Sequence, residues 1–131
     1  MKRSELIGRV IELATAIRNQ EAAEWLKRYP EGPIVVRASD PLPPPADKTP
    51  LRELLLGLPA AEIYMLTLIM YMGRGDFSPE DLLGKYHQLS DTFKKPTWAV
   101  KQMIDKVTLA QYLSKGLERL SEAGIEVDNL L

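Results

Sequence analysis

The chain has 131 residues, 45% of them hydrophobic and 27% charged, with 17 basic and 18 acidic side chains, one histidine and no cysteine. Such a length and composition suit one globular domain with its own core. The near balance of charge excludes a long-range field for nucleic acid or anionic lipid, and the missing cysteine excludes disulfides, thiolate catalysis and cysteine-held metal.

At the N-terminus, Glu5, Arg9 and Glu12 interrupt the apolar core that a signal peptide needs. The longest apolar run, Ile63 to Met72, is far shorter than the roughly 20 residues that cross a bilayer. A cytoplasmic protein is expected.

Ser4 and Glu5 predict a helix start, and Leu6, Ile7, Val10, Ile11, Ala14 and Ile17 then recur at three- and four-residue steps. Gly8 reads as a close helix contact. The pattern continues or restarts at Asn19, where Ala22, Ala23, Trp25 and Leu26 carry it to Tyr29, and Pro30 ends it. Trp25 is expected as a core anchor.

Seven of the ten prolines fall within residues 30–50, so neither helix nor central strand persists there. We read this span as a proline-rich connector, with Ile34 to Val36 as a short extended strap and Pro43 to Pro45 in polyproline II. Pro41 to Pro45 would also suit a proline-binding partner, but no basic residue flanks it closely enough to orient one.

Thr49-Pro50 predicts a capped restart with Leu51, Leu54, Leu55 and Leu58 inward and Gly57 turning the chain. Pro59 opens the central helix, about 59–73. Every residue from Ile63 to Met72 except Thr67 is apolar, the pattern of a helix sheathed by others. Gly73 or Gly75 suits a left-handed cap at its end.

Ser78-Pro79-Glu80-Asp81 combines a capping serine, a first-position proline and two acids at the positive helix end. The helix it starts runs to about Leu89, with Leu82, Leu83, Tyr86 and Leu89 inward. Ser90 to Pro96 is a loop carrying Lys94 and Lys95. Thr97 then caps a helix with Trp98, Val100, Met103, Ile104 and Val107 apolar. A last helix, Thr108 to Ala123, lines up Leu109, Leu113, Leu117 and Leu120 and ends at Gly124. The tail 125–131 is too apolar to lie in water. The fold expected is all-α: one domain over residues 1–131, a compact bundle of six or seven helices around the buried central one.

The segments LTLIMYMGRGDF at 66–77 and LAQYLSKGLERL at 109–120 resemble the two ends of a small bacterial family known only as a domain of unknown function. The matching positions are Gly73, Arg74, Gly75, Asp76 and Phe77, then Leu109, Ala110, Tyr112, Leu113, Gly116 and Leu117. The likeness covers roughly residues 50–123, with Tyr71 where the family has tryptophan before the turn. It implies a helical fold and no characterised activity.

Candidate chemistry is sparse. The Arg-Gly-Asp at 74–76 serves adhesion only in a secreted protein. The amides around Gly73 and Gly75 would suit an anion nest, but Asp76, Glu80 and Asp81 would repel a phosphate there. The structural reading fits better, with Gly73 and Gly75 making the turn and Arg74 and Asp76 tying the central helix to its neighbour. His87, alone of its kind, lies four residues from Asp91 on one helix face, beside Tyr86, as an acid–base pair or a surface ion pair. Phe93 to Trp98 interleaves aromatic and basic residues, a basic patch of Lys94, Lys95 and Trp98 too small to neutralise many phosphates. No phosphate loop, dinucleotide fingerprint or metalloprotease motif is present.

The sequence therefore predicts no enzyme, no cofactor, no metal and no membrane contact. It predicts a protein-interaction or self-associating module, a homodimer through the surplus apolar tail residues Ile125, Val127, Leu130 and Leu131. The alternative is a weak nucleic-acid-associated regulator using the Lys94, Lys95 and Trp98 patch.

Overall fold

In the computed structural model the helix Ala60–Arg74 (α3) runs through the middle of the fold, and every side chain from Ile63 to Met70 is buried. Its one polar member, Thr67, is satisfied inside the helix, donating from Oγ1 to the Ile63 carbonyl at 2.8 Å. The structure describes residues 2–28, 46–92 and 95–130. Among them are six α-helices, two single 3₁₀ turns and no strand, the all-α bundle expected. The other α-helices are Arg3–Arg28 (α1), Thr49–Leu56 (α2), Leu82–Thr92 (α4), Pro96–Ile104 (α5) and Leu109–Glu122 (α6). No helix of the described residues is long and apolar enough to cross a membrane.

α6 packs most extensively on α3, with α4 and α5 around the rest of it, and α1 lies over α6 and α2. The single core draws Leu6, Ile7 and Val10 from α1, Leu51 and Leu55 from α2, Met103 from α5 and Leu113 from α6. α1 is one unbroken helix through Asn19. Its core-packed side chains end at Ile17, and Trp25 is half-buried beyond them. Most of the proline-rich connector, including Ile34–Val36 and Pro41–Pro45, lies outside the described residues, as does Tyr29.

Several local expectations shift by one partner or one face. Thr49 does not cap α2. The N-cap position is Lys48, and Asp47 just before it accepts from the Thr49 amide at 3.0 Å; the Thr49 side chain, with that bond, lowers the Asp47 pKa. Ser78 and Pro79 mark a helix start as expected, but the first turn, Pro79–Asp81, is 3₁₀ before α4 begins. Thr97 lies inside α5, whose N-cap position is Lys95.

Leu83, expected inward, is exposed, as are Trp98 and Val107 of the apolar set expected on the next helix. On α4 the core takes Leu82 and Leu89, and Leu83 sits a third of a turn away. On α5 the core face is Ala99, Val100, Met103 and Ile104, which points Trp98 to the opposite side. α5 stops at Ile104, so Val107 leaves the stripe for the connecting turn.

Gly8 makes no close helix contact, because a Cβ placed there would meet nothing within 4 Å. Gly8→Ala should therefore stabilise the fold by about 0.5–1 kcal/mol, through the glycine entropy it removes. A urea unfolding curve measures this, and a lower midpoint than the parent's would show a neighbour against α1 at that point.

Candidate functional site

The two motifs meet in space. α3 and α6 cross antiparallel, with Gly73 against the Tyr112 carbonyl and Gly116 against the Ile69 carbonyl. A Cβ at Gly73 would lie 1.8 Å from Tyr112 O, and one at Gly116 2.3 Å from Ile69 O. Both glycines are buried, so they are the points where one backbone rests directly on the other.

Beyond Gly73 the helix ends in a glycine cap. Gly75 has φ of 100°, its amide donates to Met72 O at 3.0 Å, and the Asp76 amide donates to Tyr71 O at 3.1 Å. Arg74 and Asp76 do not bridge to a neighbouring helix. Arg74 Nε donates to Asp76 Oδ2 at 2.9 Å, and the same guanidinium lies 4.8 Å from the Tyr71 ring centroid. The bond to Asp76 raises the Arg74 pKa, and both side chains are 40% exposed, so the pair adds little stability. The Gly73–Asp76 turn is thus accounted for as architecture.

The tail is also accounted for within the chain. Ile125, Val127 and Leu130 are half-buried against the chain's own core, and Leu131 lies outside the described residues. Arg3 anchors the tail, donating from Nη1 to the carbonyls of Val127 and Leu130 and from Nη2 to Glu62 at 2.7 Å. Asp128 accepts from the Ser4 amide at 2.7 Å and the Ser4 hydroxyl at 2.9 Å. Ser4 was expected to cap α1. It lies inside the helix, and its amide is capped from the tail instead. The apolar tail residues that suggested a homodimer are thus in part engaged within the chain.

His87 and Asp91 are both exposed on α4, with the Tyr86 ring edge-on to His87 at 5.8 Å. Among the described residues no cluster of three or more His, Asp or Glu is placed to hold a metal ion.

The basic patch develops differently from the sequence pattern. Lys94 lies outside the described residues, while Lys95 and Trp98 are exposed at the start of α5. Trp98, 53% exposed, stands on one helical stripe with Lys101 and Asp105. Between that side of α5 and α2 runs a groove of about 350 Å³, floored by Val100 and Ile104 and walled by Leu56 and Thr97. Arg52, Lys101 and Asp105 edge it. Leu56 is 49% exposed, a large aliphatic side chain on an outer wall. None of Arg52, Lys95, Lys101 and Asp105 is in an ion pair among the described residues.

Arg52, Leu56 and Lys101 were missed in the sequence. The signal was the run Leu54-Leu55-Leu56: consecutive helical residues turn by about 100°, so three in a row cannot share one buried face. Chemically the groove offers apolar contact and unpaired cations, a surface for binding.

No curated protein and no solved structure matches the chain. One protein family matches residues 48–121, from the start of α2 almost to the end of α6, close to the span its two motifs suggested. That span contains the glycine crossing and both walls of the groove, and omits α1 and the tail. With more than half of its length matched, the chain belongs to the family described as a protein of unknown function (DUF3775).

Proposed function

We propose that this chain is a helical protein-interaction module whose partner docks on the face formed by α2 and α5. The observation that carries the reading is an apolar-floored groove with Leu56 exposed on its wall, beside which Trp98 stands exposed on the adjoining side of α5. Scattered exposed leucines are ordinary on a soluble domain, but large apolar side chains gathered along a groove are what docking faces use. In contrast, the tail is tied to the chain by Arg3 and Asp128 and the glycine corner has Arg74 and Asp76 paired with each other, which favours the α2/α5 face over either.

A photo-crosslinking amino acid at position 98, in cells that make the protein, tests this directly. Adducts with a protein are expected from position 98 and not from a control at exposed Gln111 on α6, and Lys101→Glu should remove them. An adduct of twice the chain's mass would identify the partner as a second copy. Absence of adducts, or equal adducts from both positions, overturns the reading.

A further inference from the structure

Given that docking face, on which this inference rests, we infer that its occupant is an acidic amphipathic helix of a partner protein. The groove is apolar along its floor, and its rim charge is unbalanced. Of the three charged side chains that line it, Arg52 and Lys101 are basic and only Asp105 is acidic. From Lys95 to Ile104 the chain carries two lysines and no acid. Neither Arg52 nor Lys101 is in an ion pair among the described residues, and although Arg52 also acts on Asp47 through space, the Lys101 charge is available to an incoming carboxylate.

The dimensions agree with a helical ligand. α5 has nine residues, which at 1.5 Å each makes a groove of about 13 Å, two to three turns of a docked helix. A ligand helix lays apolar residues spaced three and four apart into such a groove and turns its polar flanks to the rim. Here those flanks meet Arg52 on one side and Lys101 on the other.

Two other occupants fit less well. A second copy docking face to face would set Arg52 and Lys101 against their own equivalents, with only Asp105 to offset them. A single-stranded nucleic acid would find Trp98 nearby to stack on, but the two cations of the groove neutralise too few phosphates for tight binding, and Asp105 sits beside them.

Two synthetic helical peptides of about 14 residues, long enough to span the groove, separate these cases. They share one leucine pattern and carry either glutamate or lysine at every polar position. Fluorescence anisotropy of labelled peptide against the intact protein is expected to show the glutamate peptide binding about tenfold or more tighter than the lysine peptide. The double variant Arg52→Glu, Lys101→Glu, checked for native helicity by circular dichroism, should reverse that preference.

Equal binding of both peptides would overturn the charge inference and leave the docking face standing. Binding of neither peptide, alongside position-98 adducts, would also overturn it and point to a partner of other chemistry. A labelled oligothymidylate that binds tighter than either peptide, with affinity falling steeply in salt, would overturn it in favour of nucleic acid.

Discussion

Gly73→Ala and Gly116→Ala should each lower the stability of this protein by about 3 kcal/mol or more, the upper end of what overpacking a core costs. At Gly73 the new methyl would sit 1.8 Å from a backbone oxygen, and at Gly116 2.3 Å from another. Because the obstacle is main chain, no side chain can rotate aside, and α3 and α6 must separate. That separation opens the most extensive helix contact in the fold. Small domains have only about 5–15 kcal/mol in total, so a fall in melting temperature of about 10 °C or more is expected.

The two substitutions should not add. Once the first has pushed the helices apart, the second methyl meets a wider gap, so the double variant should lose much less than the sum. Additive losses, or a loss below about 1 kcal/mol in either single variant, would mean that the crossing is looser than drawn. Gly75→Ala tests a different thing. It has room around it, with only an Arg119 side chain at 3.8 Å, and costs only the left-handed backbone, about 1 kcal/mol.

Arg3→Ala is the second large effect. The Arg3 side chain is 9% exposed and joins three segments: α1, Glu62 at the start of α3 and the tail carbonyls of Val127 and Leu130. Its removal leaves Glu62, 26% exposed, without its cation and two carbonyls without a donor, a loss of about 2–3 kcal/mol. Arg3→Lys should recover only part of it, because a lysine cannot reproduce the forked pairing. Hydrogen exchange separates this from general weakening: amides of residues 125–130 should lose protection first, while those of α3 change little. A tail that stays protected would show that its apolar contacts hold it without the clamp.

The same clamp makes stability depend on pH. The hydrogen bond from Arg3 holds the Glu62 carboxyl below its ordinary range, and the amide and hydroxyl of Ser4 do the same for Asp128. A carboxylate with a depressed folded pKa contributes stability that is fully present above its unfolded value, near 4, and is lost as pH falls through the folded value. Urea midpoints should therefore hold from pH 7 to about pH 5 and decline below about pH 4. Asp128→Asn and Arg3→Ala should both flatten that decline. An unchanged slope in both would place the acid sensitivity elsewhere.

Much of this architecture was legible in the residues. The run at 63–72, apolar but for Thr67, marked α3 as central, Ser78-Pro79 fell at an element start, and Gly75 and Gly124, both at positive φ, closed α3 and α6. These signals are local: each depends on backbone dihedrals and on interactions within four residues. Beside the candidate docking face, Lys95 and Trp98 could be read from their aromatic–basic pattern. Arg52, Leu56 and Lys101 could not, since they become neighbours only when α2 lies along α5.

The sequence by itself thus determined the helices, their ends and the helix at the centre, because those follow from periodicity, proline and glycine. Only the tertiary structure decided which face of each helix turned inward, why Gly73 and Gly116 are required, and where the tail went. Asp128 caps Ser4 from 124 positions away, a partnership that no spacing rule reports. Such contacts are set by which surfaces meet after collapse. A leucine or tryptophan carries the same hydrophobic drive whether its helix turns it to the core or to a partner.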